Sequence, residues 1–115
     1  MLQQTQFKLQ RLQTEYKQLS AQCTMLNNKA QEHQNYLVGL QNQIKLNPTD
    51  TFLKAQYNSV VQQIRNINQT ITRNQSKLVS LQRQIAVEEA RFTSQQQKAM
   101  MSAYRKQTRS SYPKY

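Results

Sequence analysis

The residues of this sequence that could do chemistry are few and widely spaced. The only Cys and the only His, Cys23 and His33, stand ten residues apart. One Cys and one His cannot supply the four ligands of a tetrahedral zinc site within one chain. Glu88 and Glu89 are adjacent, so their side chains point in different directions and cannot act as a general acid/base pair. A single glycine also leaves no material for a phosphate-binding loop. The sequence therefore predicts no enzyme, no metal site and no cofactor.

Positive charge is the chemical feature that remains. Sixteen Lys and Arg against five acids give a net charge of +11, which favours an anionic partner or surface. The imbalance is strongest in residues 96–115, QQKAMMSAYRKQTRSSYPKY, which contain no acid. This segment could contact nucleic acid through phosphates and base stacking, or dock on acidic protein and become ordered there. The candidate contacts are Lys98, Tyr104, Arg105, Lys106, Arg109 and Lys114.

Composition limits the elements that could position these residues. Three Gly and Pro residues in 115 nearly exclude a turn-rich fold, and 37% apolar residues allow only a narrow core. Low hydrophobicity with high net charge could also mean disorder, unless the apolar residues are periodic. The chain has no signal-like N-terminus and no apolar run near ~18 residues, so we expect a cytoplasmic or virion protein without a membrane span.

The apolar residues follow a heptad period in two runs. Alternate steps of three and four residues from Leu2 to Ile44 meet apolar or aromatic side chains at ten of thirteen positions. The same steps from Leu53 to Phe92 meet them at ten of twelve. This regularity favours two long helices over disorder.

The sequence LNPTD separates the two runs and predicts a turn. Pro48 disfavours a helical conformation at Asn47, and Thr49, Asp50 or Thr51 could cap the next helix. A short connection favours antiparallel packing, in which facing residue numbers have a constant sum. That sum is 97 for Ile44 with Leu53 and for every later layer, so both heptad patterns fit one register.

We therefore predict an all-α fold, a long antiparallel two-helix coiled-coil hairpin with a basic C-terminal extension. The hairpin would span residues 1–95, with helices at 2–46 and 51–95 and a turn at 47–50. Residues 96–115 would form a basic helical overhang that ends in the loose sequence TRSSYPKY. A swap of the same helices between two chains would keep every seam contact.

Register within the seam is expected to come from polar layers. Asn74 would be the main register device, level with Cys23, and His33 would form a second polar layer. The flanking positions show no facing pairs of opposite charge, and Lys8 faces Arg91, a like-charge pair. Ion pairs are therefore not expected to set the register.

Small and apolar residues also lie on the outward side of the second helix. They could bind a partner helix or form a dimer contact. The candidates are Val79, Ala86, Val87, Ala90, Met100 and Met101.

The leading functional hypothesis is a structural or adaptor coiled-coil protein that packs in a larger multi-protein assembly. Its partners would be acidic or helical protein subunits, with a homo-oligomer also possible. The architecture resembles the stalk proteins of flagellar and type III export machines, the two-helix substrates of type VII secretion, and phage virion assembly proteins. The turn lacks the Trp-x-Gly of the type VII family. The alternative hypothesis is a nucleic-acid-binding or packaging protein that uses its basic C-terminal tail.

Overall fold

The chain folds into two long helices that pack against each other, as the heptad pattern predicts. A computed structural model describes the backbone of residues 2–111 and the side chains of residues 2–106. Helix α1 spans Leu2–Leu46 and helix α2 spans Thr51–Ser111. The predicted fold class, an antiparallel two-helix coiled-coil hairpin, is confirmed.

The connection between the helices is a tight turn that needs no glycine. The amide of Asp50 donates to the carbonyl of Asn47 at 3.1 Å, which closes a four-residue turn with Pro48 at its second position. The described backbone has no residue with positive φ, so Pro48 and Thr49 both adopt conformations open to ordinary residues.

Asp50 is the residue that starts α2. Its carboxylate oxygen Oδ1 accepts hydrogen bonds from the amides of Phe52 at 3.0 Å and Leu53 at 3.2 Å. These amides belong to the first turn of the helix, where no backbone acceptor is in reach. Of the three candidate caps, Asp50 is the one that makes these side-chain bonds, and its negative charge also suits the positive end of the helix dipole.

Contacts within the chain define two units. The first combines residues 1–16 with residues 80–115, and the second spans residues 17–79. In both units the heptad positions are the ones withdrawn from solvent. Every seam residue is buried or half-buried except Leu2, which is 37% exposed.

In the unit that contains the turn, the core is narrow and mostly aliphatic. Its buried residues include the aliphatic side chains of Ala30, Leu40, Val60 and Ile71 and the thiol of Cys23. Gln41 donates to the hydroxyl of Tyr57 at 3.1 Å, across the two helices. These residue numbers add up to 98, whereas directly facing residues in the predicted register add up to 97. The bond therefore joins two residues that are one position away from facing each other directly.

In the unit that contains both chain ends, two interhelical contacts show the same register. Gln82 donates to the hydroxyl of Tyr16 at 3.0 Å, and the Lys8 ammonium lies 3.1 Å from the Glu88 carboxylate. The residue numbers of these pairs add up to 98 and 96, on either side of 97. Leu12 is the most buried apolar side chain of this unit, at 3% exposed.

Helix α2 continues past the start of α1 without a break. The register places Leu2 level with Gln95, so residues 96–111 extend beyond the partner helix by about 24 Å at 1.5 Å per residue. The first half of TRSSYPKY, which was expected to be loose, is the end of α2, since residues 108–111 are helical. Pro113, a residue that disfavours a helix, comes five residues after Thr108, where looseness was expected to begin. Residues 112–115 lie outside the described part of the chain.

No helix among residues 2–111 has an apolar stretch long enough to cross a bilayer.

Candidate functional site: the outer face of α2

The polar seam residues proposed to set register lie where the pattern put them. Asn74 and Cys23 are buried, at 9% and 8% exposed, and the register places them level with each other. His33 is half-buried, and its Nδ1 lies 2.8 Å from the carbonyl oxygen of Lys29, one turn earlier in α1. Because a carbonyl only accepts, Nδ1 must carry the proton in this bond. His33 is thereby held to its own helix.

A charged cluster is centred on Glu88, and it corrects the expectation about ion pairs. Glu88 occupies a seam position with its side chain only 6% exposed, and its Oε1 lies 3.1 Å from both Lys8 Nζ and Arg91 Nη1. The expected like-charge pair of Lys8 and Arg91 is therefore bridged by a buried carboxylate. The prediction that facing pairs of opposite charge are missing concerned the flanking positions alone. The interhelical ion pair that forms joins Lys8 to a charged seam residue, Glu88, which that comparison left out.

Beyond Phe92, the seam position that follows Glu88, the seam loses its apolar residues. The next seam position, Gln95, is half-buried, and its side-chain carbonyl oxygen is buried without a hydrogen-bond partner among the described residues. The positions that follow in the same phase are Ala99, Ser102 and Lys106, all exposed. Pairing with α1 thus ends near Gln95, and the overhang has no seam on that side.

Apolar residues move instead to the opposite side of α2. Six exposed residues follow one another at alternate spacings of three and four, which places them on one stripe of the helix. We call this stripe the outer face. It consists of Val87, Ala90, Ser94, Gln97, Met101 and Tyr104.

The outer face carries large apolar side chains that remain open to solvent. Val87 is 51% exposed, Met101 is 58% exposed and Tyr104 is 69% exposed. Beside the stripe, Met100 is 72% exposed. Two open grooves run along this surface, one from Val87 to Lys98 and one around the methionine pair. A run of exposed apolar side chains along one helix is typical of a protein contact surface.

Three cations line one edge of the outer face. Arg91, Lys98 and Arg105 are spaced seven residues apart, so they occupy the same heptad position and form one row. We call them the basic row. All three are exposed, and they lie at the rims of the grooves. Arg91 is already bonded to Glu88, whereas the ion pairs found among residues 2–106 do not involve Lys98 or Arg105.

The structure brings together most of the predicted partner-binding and anion-contact residues. Ala86 lies beside the outer face and is exposed. Val79 is 48% exposed but belongs to the unit of residues 17–79. Lys106 is in the heptad phase of the seam, so it lies away from the outer face. The side chain of Arg109 and the whole of Lys114 lie outside what the structure describes.

Sequence reasoning missed two exposed residues that flank the turn. Leu46 is 81% exposed and Phe52 is 68% exposed, which are high values for large apolar side chains. In the sequence, these two residues stand out only because they are apolar and lie outside the heptad phase, close to the seam residues Ile44 and Leu53.

The grooves described here are open surfaces along α2 rather than enclosed pockets. Among the residues that the structure describes, no three His, Cys, Asp or Glu side chains come together as a metal site. No family model, curated protein or solved structure shows a significant match to this chain.

Proposed function

We propose that this chain is a non-enzymatic structural or adaptor protein whose two-helix hairpin packs with other protein subunits in a larger assembly. The hairpin is the scaffold, and α2 beyond the Glu88 cluster is the attachment element. Assemblies of the export-machine or phage virion type fit this role, since their stalk and assembly proteins are what the long hairpin resembles.

The observation that carries the proposal is the change of phase along α2. Up to Phe92 the apolar residues face α1, and from Val87 onward a second apolar stripe faces away from it. One helix therefore presents two apolar stripes over residues 87–92, and only one of them is covered in the hairpin. Within the described residues 2–111, α1 does not extend alongside α2 beyond Gln95. Because most helical stability in proteins comes from packing an amphipathic face, this part of α2 would gain stability from a partner.

A protein partner fits the outer face better than nucleic acid does. A surface that follows a phosphate backbone needs cations along its length. Here four of the six stripe residues, Val87, Ala90, Met101 and Tyr104, are apolar or aromatic. Ser94 and Gln97 lie between them, and the cations lie at one edge. Other exposed cations, such as Arg65 and Arg73, lie in the unit of residues 17–79.

Native mass spectrometry of the full chain, purified from its natural source at moderate salt, tests the proposal. We expect a complex of fixed stoichiometry with at least one other protein, and loss of that complex when the chain is cut after Gln95. Hydrogen exchange should be fast at residues 96–106 in the isolated chain and slower in the complex.

Two results would contradict this function. One is a chain that remains alone at all concentrations tested. The other is a chain that co-purifies with nucleic acid alone and releases it steeply with salt, which would favour the packaging role of the basic tail.

A further inference from the structure

We propose that the partner on the outer face is an acidic amphipathic helix, which places its apolar stripe on Val87, Ala90 and Met101 and its acids opposite the basic row. This inference rests on the proposed function and adds the chemistry of the partner. It concerns residues 87–106, which lie within one unit of the fold.

The shape of the surface favours a helix as the occupant. The exposed residues of the outer face repeat with the heptad spacing, and the basic row repeats with the same period. A second helix packed at a small crossing angle contacts such a stripe along its length. From Val87 to Tyr104 the stripe extends over about 27 Å, or roughly five helical turns.

Charge decides which kind of helix fits. Residues 90–115 contain six bases and no acid. A helix with acids at seven-residue spacing would place one opposite each member of the basic row, in the manner of flanking charges in coiled coils. Lys98 and Arg105 are the members that no described acid neutralises.

The same charges disfavour a second copy of this chain as the occupant. Self-association through the outer face would bring two basic rows near each other. The acids available in this unit are Glu15, Glu88 and Glu89, and Glu88 is already engaged by two cations. A like-charge arrangement of this kind selects against the wrong partner.

A designed peptide can probe the surface without knowledge of the natural partner. The probe has three heptads, about 21 residues, with Leu at the a and d positions and Glu at e and g, which repel one another and keep the free peptide monomeric. A twin peptide carries Lys in place of each Glu, and a third keeps the Glu residues but replaces Leu with Ser. Fluorescence anisotropy of each labelled peptide gives its affinity for the full chain at a fixed, near-physiological salt concentration, where the Debye length is about 8 Å.

We expect the Leu/Glu peptide to bind with a Kd on the order of 10 μM, as suits a contact below the standard interface size. The Lys twin and the Ser peptide should bind at least ten-fold more weakly. In the full chain, Met101→Ser should weaken the Leu/Glu peptide roughly ten-fold, because a large apolar contact is lost.

Charge reversal of the basic row is the most discriminating test of the acidic partner. The double variant Lys98→Glu with Arg105→Glu should lose the Leu/Glu peptide and gain the Lys twin. Its matched control, Arg65→Glu with Arg73→Glu, changes net charge by the same amount on exposed residues of the other unit. The control should change the affinity less than about two-fold, since distant exposed charges are screened.

Four outcomes would overturn the inference. These are equal loss in both double variants, no gain of the Lys twin, indifference to Met101→Ser, or duplex DNA bound more tightly than the peptide at physiological salt. Self-association of the isolated chain that Met101→Ser abolishes would assign the face to a second copy and overturn it as well. If the native complex survives charge reversal of Lys98 and Arg105, the proposed function stands and only this inference falls.

Discussion

At the scale of single residues, Glu88 shows how a seam position can be charged without breaking the hairpin. Its carboxylate is nearly inaccessible, yet both of its cationic partners are about half exposed or more. The cations therefore keep much of their hydration, and the cost of burial falls mainly on one group. Burying a charge is costly unless it is paired and hydrogen-bonded, and here two donors share one oxygen.

Replacement of Glu88 by Ala should lower the free energy of unfolding by about 2 kcal/mol, because the ion pairs are lost and Lys8 and Arg91 are left as like charges. Urea unfolding followed by circular dichroism measures the change. Glu89→Ala, at the exposed neighbouring position, is the control and should stay within about 0.5 kcal/mol. Equal effects of the two substitutions would show that the Glu88 cluster adds no stability.

Gly39 is a second residue with a clear expectation. It lies within α1 on an exposed position, and a Cβ added there would meet nothing within 4 Å. Gly39→Ala should therefore raise the free energy of unfolding by about 1 kcal/mol, through lower backbone entropy of the unfolded chain. Thermal unfolding should show a higher Tm. The reverse change at an exposed alanine of the same helix, Ala21→Gly, is the control and should lower Tm by a similar amount. A fall in Tm for Gly39→Ala would instead mean that the glycine lies in a contact with another molecule.

At the scale of elements, the sequence predicts the helices and the turn well because the interactions that form them are local or periodic. The heptad phase gives the buried stripe, and Pro48 with the Asp50 cap gives the break. The ion pairs of Glu88 with Lys8 and Arg91 could not be predicted from flanking positions alone. They depend on where each side chain lies along the axis of the hairpin. Composition suggested looseness for residues 108–111, yet α2 includes them. An established helix extends without a new nucleation step, which composition does not reveal.

The cap of α2 gives a prediction at this scale. Asp50→Ala should lower the free energy of unfolding by about 1 kcal/mol, because two first-turn amides lose their acceptor. Asp50→Asn keeps an oxygen that can accept those bonds and should retain most of the stability. Thr49→Ala, next to it in the turn, is the control, and chemical unfolding of the three variants compares them. If Asp50→Ala behaves like Thr49→Ala, the cap is not what determines the start of α2.

At the scale of the whole molecule, the single cysteine allows a direct test of the register and of the chain pairing. Cys23 and Asn74 are both buried and level with each other, so Asn74→Cys should form a disulfide with Cys23 under mild oxidation. On a non-reducing gel the product should migrate as a monomer if the helices pair within one chain. A covalent dimer would show that the hairpin is swapped between two chains, and absence of any disulfide would contradict the register. Val38→Cys, at an exposed position, is the control and should not form an intrachain bond.

The tyrosine hydroxyls that accept interhelical hydrogen bonds give the molecule built-in reporters. Tyr16 accepts from Gln82 in one unit, and Tyr57 accepts from Gln41 in the other. The chain has no tryptophan to interfere with tyrosine fluorescence, and fluorotyrosine would give each ring its own ¹⁹F resonance. The resonances of Tyr16 and Tyr57 therefore report separation of the two helices independently in the two units. An assembly partner that binds the chain ends should slow helix separation at Tyr16 and leave the rate at Tyr57 unchanged.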